Sequence, residues 1–164
     1  MKNLLIVKRF FPLLIFSLFL TLRGPASIAQ TPTKPVDVVI TDFIARQEEK
    51  EGATEYEEAR EIGRGDLNGD GKEDAVVLYS LEGFDGSNLY LQYLAVFLSQ
   101  GDALRYTTHR IVGGKGKRSM ALEGISGGKI LLKTKEYRPG DASCCPSKKG
   151  RASFVLDMRK LKEL

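Results

Sequence analysis

The residues best suited to chemistry lie in the stretch DLNGDGKEDAVV, which spans residues 66–77. Oxygen-bearing groups recur there at alternate positions, so a tight turn would bring them toward one centre. A hard cation such as Ca²⁺ takes about six to eight oxygen ligands, and a glycine at the sixth loop position permits the sharp turn. Gly71 occupies that position. The spacing therefore predicts a calcium site with five ligand residues: Asp66, Asn68, Asp70, Lys72 through its backbone carbonyl, and Asp74.

The end of this stretch departs from the calcium loop of the EF-hand. An EF-hand has a bidentate Glu at the twelfth position, where this chain has Val77. The loop instead resembles the shorter D-x-N-x-D-G-x-x-D loops of dockerins and of FG-GAP and VCBS-type repeats, which likewise lead into an apolar strand. The resemblance covers residues 66–77 and implies calcium binding alone, because a propeller of such repeats needs several copies. The whole chain is also similar to small secreted bacterial proteins with one such loop, which implies no activity.

A hydrated turn is the alternative interpretation of the same residues. Asn68-Gly69 and Asp70-Gly71 are dipeptides that tight hairpin turns strongly prefer. If calcium does bind, its affinity should be modest, because the twelfth position has no carboxylate. Extracellular sites with dissociation constants of about 10⁻⁴ to 10⁻³ M still fill.

Cys144 and Cys145 are adjacent and are the only cysteines of the chain. Exported proteins meet oxidising conditions, so the sequence favours a disulfide between these neighbours. Adjacent Cα atoms lie about 3.8 Å apart, which is shorter than the usual disulfide range of about 4.4–6.8 Å. Free buried thiols, an intermolecular bridge and a metal-thiolate site are the alternatives. A redox or assembly role for the pair is a further hypothesis.

His109 is the only histidine and supplies the hypothesis of an enzyme. A small hydrolase would combine His109 with the acidic loop, whereas a cysteine nucleophile would combine it with Cys144 and Asp141. Residues of these types are too common for their presence to favour catalysis. We therefore assign no catalytic residue and interpret His109 as a strand-surface residue.

The N-terminus has the layout of a secretory signal peptide. Lys8 and Arg9 precede thirteen almost unbroken apolar residues at 10–22, and small Ser27 and Ala29 follow. A membrane-spanning helix needs about 20 apolar residues, which is more than this segment offers. We predict cleavage after Ala29, a secreted or periplasmic protein, and no membrane span in the mature chain.

Charge is distributed unevenly along the mature chain. The full sequence has 25 Lys and Arg against 21 Asp and Glu, but the signal peptide holds four of the bases and no acid. The mature chain is therefore formally neutral, which gives no reason to expect nucleic acid as a partner. Residues 30–100 hold 15 acids and 6 bases, whereas residues 101–164 hold 6 acids and 15 bases. The halves either pair with each other or present two faces to different partners.

The mature sequence predicts one helix followed by strands. Residues 30–35 are a short Pro-rich lead-in, and a helix over 36–50 ends near Gly52. Its apolar stripe consists of Val36, Val39, Ile40, Phe43 and Ile44. Short apolar runs between Gly-rich turns predict strands at 56–65, 74–81, 89–99, 103–112, 118–125, 129–137 and 151–158.

These elements predict the α+β class, with one N-terminal helix packed on an antiparallel meander sheet of about five to seven strands. The helix and strands form a single domain, residues 36–164. The corresponding functional hypothesis is a monomeric, non-enzymatic extracytoplasmic domain. One structural Ca²⁺ would stabilise its loop, and its basic C-terminal half would bind a component of the cell envelope.

Overall fold

A computed structural model describes residues 35–164, which belong to one compact unit. The predicted signal peptide, residues 1–29, lies outside the described residues, as do residues 30–34 of the lead-in. The described elements, in chain order, are α1 (Val36–Glu51), β1 (Thr54–Glu55), a 3₁₀ turn (Glu57–Ala59), β2 (Glu61–Gly65), β3 (Asp74–Glu82), a second 3₁₀ turn (Phe84–Gly86), β4 (Tyr90–Gln100), β5 (Ala103–Gly114), β6 (Arg118–Ser126), β7 (Lys129–Glu136), β8 (Lys148–Asp157) and β9 (Lys160–Glu163).

The predicted helix is confirmed, including its end. Gly52 follows α1 in the left-handed conformation, with φ of 61° and ψ of 41°, which glycine adopts without steric cost. Ala53 then donates its N–H to the carbonyl of Glu48. The predicted apolar stripe packs on the sheet, with Ile40, Phe43 and Ile44 fully buried.

The strands form an antiparallel sheet in the order β1-β3-β4-β5-β6-β7-β8-β9, with β2 also paired to β3. The predicted meander is therefore confirmed from β3 to β9, but the predicted count of five to seven strands is wrong, because nine strands form among the described residues. The predicted strand 56–65 begins with a 3₁₀ turn, and only its second part pairs with β3. β1 and β9 were not predicted, since both are short and mostly charged or polar.

The sheet folds over on itself between β5 and β6. These strands pair directly at only one position, Gly114 opposite Arg118, so the chain can bend sharply there. One buried cluster, which we call the inter-sheet cluster, joins side chains of β3–β5 with side chains of β6–β9. It consists of Leu67, Val76, Leu78, Leu94, Val96, Val112, Met120, Ile130, Leu132, Phe154 and Leu161.

A second buried cluster, the helix-side cluster, lies on the opposite face of β3 and β4. It consists of Ile40, Phe43, Ile44, Ala75, Val77, Tyr79, Leu81, Tyr93, Ala95 and Phe97. Successive strand residues point to opposite faces, so β3 contributes alternate residues to the two clusters. This burial on both faces explains its continuous apolar run, AVVLYSL at residues 75–81.

Candidate metal site

The acidic loop connects two paired strands and turns sharply between them. β2 ends at Gly65 and β3 begins at Asp74, and these two residues lie opposite each other in the sheet. Gly69 and Gly71 adopt φ angles of 79° and 77°, where a side chain would be strained. The tight turn that the spacing predicted is therefore present.

Asp66 organises the backbone of the loop. Its Oδ1 accepts the N–H groups of Asn68 at 3.2 Å and Gly69 at 2.7 Å, and its Oδ2 accepts that of Gly71 at 2.8 Å. The Gly71 N–H, followed by the other backbone donors, lowers the pKa of Asp66. Asp66 is therefore ionised under ordinary conditions, which is the state that a cation needs.

Asn68 and Asp70 continue the same pattern along the exposed rim of the loop. Asn68 Oδ1 accepts the N–H of Asp70 at 2.9 Å, and Asp70 Oδ1 accepts the N–H of Lys72 at 2.9 Å. Asn68 Nδ2 also donates to Asp70 Oδ2 at 3.2 Å. These contacts hold the side chains of residues 66, 68 and 70 against the backbone of the same turn.

Asp74 occupies a different environment, at the base of the loop. It is 0% exposed, and its two carboxylate oxygens accept N–H groups from opposite sides. Oδ2 accepts the N–H of Leu67 at 2.9 Å, and Oδ1 accepts that of Ser99 at 2.8 Å. Asp74 therefore joins the start of the loop to the end of β4.

Leu67 fixes the loop to the protein interior. Its side chain is 6% exposed and belongs to the inter-sheet cluster. Its carbonyl oxygen also approaches Gly128 in the turn between β6 and β7. Leu67 thereby connects the acidic loop to the interior between the two parts of the folded sheet.

The chemistry of this donor set fits a hard cation. The five predicted ligand residues offer oxygen, and a carboxylate oxygen that accepts a single hydrogen bond, such as Asp70 Oδ1, has further acceptor capacity. Within residues 35–164, three or more Asp, Glu, His or Cys side chains do not converge into a metal cluster. The candidate ligands are instead a half-buried carboxylate, Asp66, an exposed carboxylate, Asp70, an amide and a backbone carbonyl, together with the buried carboxylate of Asp74.

The structure joins Cys144 and Cys145 in a disulfide, with their Cα atoms 3.7 Å apart. Both residues are exposed, and Asp141 holds the loop around them. Asp141 Oδ2 accepts the N–H groups of Arg138 at 2.7 Å and Ser147 at 2.9 Å, and the first of these donors lowers its pKa most. A redox or assembly role for the cysteine pair stays a prediction.

His109 lies in an aromatic group on the side of the sheet that α1 covers. Its Nδ1 is 2.7 Å from the hydroxyl of Tyr106, and its ring centroid is 5.9 Å from that of Phe43. His109 lies opposite Ala95 of β4, whereas the acidic loop reaches β4 at Ser99. Four residues of strand separate these points by about 13 Å. His109 thus lies apart from the acidic loop.

The partial burial of His109 should make the stability of the fold depend on pH. Desolvation, followed by the positive charge of Lys50, lowers its pKa below the ordinary value of 6.5, although Glu51 opposes this shift. As the pH falls below about 6.5, the unfolded chain gains a proton before the folded chain does, so folding stability decreases. Between pH 7.5 and 5.5, the unfolding temperature of the wild type should fall more steeply than that of His109→Gln. Parallel profiles in a thermal scan across this range would show that burial of His109 has no such effect.

Two features of the structure were not predicted from the sequence. Gln92, within an apolar strand, is buried and bonds to Met120 across the fold; a single amide in the run LYLQYLAVFL was the available signal. The bases of the C-terminal half were not predicted to share a face, although Lys133 and Lys135 alternate with buried Thr134.

No family model, curated protein or solved structure matches this chain. Among the described residues, no helix is both long enough and apolar enough to cross a membrane.

Proposed function

We propose that this protein is a non-enzymatic extracytoplasmic binding domain whose 66–74 loop binds one structural Ca²⁺. The supporting observation is the organisation of the acidic loop, in which the side chains of Asp66, Asn68 and Asp70 accept N–H groups of the loop backbone. A buried carboxylate, Asp74, joins the same loop to β4. A cation bound by the predicted ligands Asp66, Asn68, Asp70 and Lys72, with Asp74, would screen the mutual repulsion of the carboxylates. It would also stabilise the entry into β3.

Export is supported by the signal-like N-terminal sequence and by the paired cysteines, since disulfides persist mainly in oxidising compartments. The partner is a component of the cell envelope, and the domain acts as a monomer. The surroundings of His109 offer no support for the alternative hydrolase, because its ring contacts are those of a packed aromatic group.

Calcium should raise the unfolding temperature of the purified protein. With a dissociation constant of about 10⁻⁴ to 10⁻³ M, about 5 mM Ca²⁺ would add about 1–2 kcal/mol to the free energy of unfolding. That gain corresponds to a shift of several degrees. Differential scanning calorimetry in calcium and in chelator, with a calorimetric titration, measures the shift and the affinity.

Variants of the loop separate calcium binding from general charge effects. Asp66→Asn and Asp70→Asn should lose the calcium response, because each replaces a charged ligand. Glu73→Gln is the matched control, since Glu73 is exposed in the same segment and pairs with Arg64 at 3.5 Å. The proposal is wrong if the wild type shows neither binding heat nor a thermal shift at about 5 mM Ca²⁺, or if the control loses the response to the same extent.

A further inference from the structure

The outer surface of β7, β8 and β9 carries a concentration of exposed bases. In β7 the side chains of Ile130, Leu132 and Thr134 are buried, so the intervening residues point away from the core. Residues directly opposite these in β8, and then in β9, share the same outer face. We call this surface the basic face; its bases are Lys129, Lys133, Lys135, Lys149, Arg151 and Lys162, all exposed.

Two pairs of like charges lie directly opposite each other on the basic face. Lys133 is registered with Arg151, and Lys135 with Lys149. Side chains in such positions have Cβ atoms about 4.5–5.5 Å apart, and like charges there destabilise a sheet. Both pairs therefore cost the fold stability unless a negative group approaches them.

The fold supplies that negative group to only one of the two pairs. Glu123 lies 3.5 Å from Lys133 and 3.4 Å from Arg151. No ion pair between described residues includes Lys135 or Lys149. The second pair is thus a point of electrostatic conflict, and such conflicts in an otherwise consistent fold tend to mark functional positions.

The acidic half of the chain does not neutralise the basic face. The seven ion pairs described within residues 35–164 each join two residues of the same half, either 35–100 or 101–164. α1, which holds several of the acids, packs on the opposite side of β3 and β4 from the inter-sheet cluster. The expectation of two faces with opposite charge therefore fits the structure better than pairing between the halves.

The dimensions of the basic face suit one extended polymer chain. From Lys129 to Lys135, β7 advances about 20 Å, and the three strands together are about 10 Å wide. Among the described residues, the large exposed apolar side chains beside this surface are Leu164 and, in the turn between β8 and β9, Met158. A membrane-inserting surface needs a more extensive apolar face.

We infer that the basic face binds a linear polyanion whose phosphate or carboxylate groups supply the counter-charge for Lys135 and Lys149. This inference rests on the proposed role as an envelope-binding domain and identifies the surface and the chemistry of the partner. It does not depend on the calcium loop.

The test compares two double variants that change the net charge equally. Lys135→Gln with Lys149→Gln removes two bases from the basic face, whereas Arg46→Gln with Lys50→Gln removes two from the exposed surface of α1. Binding of inorganic polyphosphate and of alginate, a carboxylate polymer, is measured by calorimetry at several salt concentrations. The basic-face variant should bind at least about tenfold more weakly than the wild type, with a slope of log K against log salt smaller by about 1.4, while the α1 variant keeps the wild-type values.

Thermal unfolding provides a second readout that separates lost binding from lost folding. Because like charges are removed, the basic-face variant should unfold at the same temperature as the wild type or about 2 °C higher. The response to polyphosphate or to alginate identifies which anion the face prefers. The inference is overturned if neither polymer binds, if both variants weaken binding equally, or if the wild type binds only anionic phosphatidylglycerol vesicles or a second copy of itself. A retained calcium shift in any of these cases would leave the calcium proposal intact.

Discussion

Asp74→Ala should lower the free energy of unfolding by about 3 kcal/mol, even in chelator. The side chain is 0% exposed and accepts the N–H groups of Leu67 and Ser99. Its removal leaves two buried backbone donors without acceptors, at about 1–3 kcal/mol each, with some recovery from local rearrangement and water entry. Urea unfolding in chelator measures the loss.

Asp74→Asn distinguishes the loss of acceptors from the loss of volume. An amide has nearly the same size, but its NH₂ group would face one of the two backbone donors, so this variant should also be markedly destabilised. Asp70→Ala, in the exposed part of the same loop, is the control and should cost less than about 0.5 kcal/mol in chelator. If Asp74→Ala cost no more than this control, the assignment of Asp74 as a structural link would be wrong.

Gln92→Leu should lower the free energy of unfolding by about 2–4 kcal/mol. Gln92 is 8% exposed; its Nε2 donates to the carbonyl of Met120 at 3.1 Å, and its Oε1 accepts the N–H of Met120 at 2.7 Å. Leucine has a similar volume but leaves both backbone groups of Met120 buried without partners. Urea unfolding, monitored with two spectroscopic probes, measures the loss.

Gln100→Leu is the matched control for this prediction, because Gln100 ends the same strand and is exposed. It should change stability by no more than about 0.5 kcal/mol. A loss of less than about 1 kcal/mol in Gln92→Leu would mean that the Met120 backbone finds water or another partner when the amide is absent. The same result would show that Gln92 does not link the two parts of the sheet.

Local periodicity predicted the elements because each is specified by residues close together in the chain. The stripe from Val36 to Ile44 and the glycine at 52 were sufficient for α1. The apolar runs of β3 and β4 were equally clear. β8 begins at Lys148, three residues before the predicted start at 151. The prediction missed these residues because they are polar or glycine and show no alternation of apolar and polar side chains.

The folding-over of the sheet was not predicted because its causes are distant in sequence. β5 and β6 meet at one pair, Gly114 and Arg118, and the neighbouring contact comes from a side chain of β4, Gln92. Gly113 permits this approach, because a Cβ atom there would lie 2.6 Å from the carbonyl oxygen of Arg118. A pattern of short-range alternation contains no information about such contacts.

The spacing predicted which residues could be ligands, but it did not predict that their environments differ. The spacing identified five oxygen donors, and the positive φ angles of Gly69 and Gly71 agree with the predicted turn. The spacing treats Asp66 and Asp74 alike, yet Asp66 binds loop backbone at the surface and Asp74 is buried. The difference arises from Ser99, which belongs to another strand and therefore leaves no trace in the loop sequence.

The burial of β3 on both faces has a consequence for the chain before it folds. Residues 75–81 combine β-branched, aliphatic and aromatic side chains without a charge or proline, which is the composition of segments that self-associate into fibrils. Asp74 and Glu82 flank this segment with negative charge, the arrangement by which proteins discourage aggregation of an exposed strand. Asp74 thus protects the unfolded chain at the same position where it supports the native one, so its loss should favour precipitation on heating over reversible unfolding.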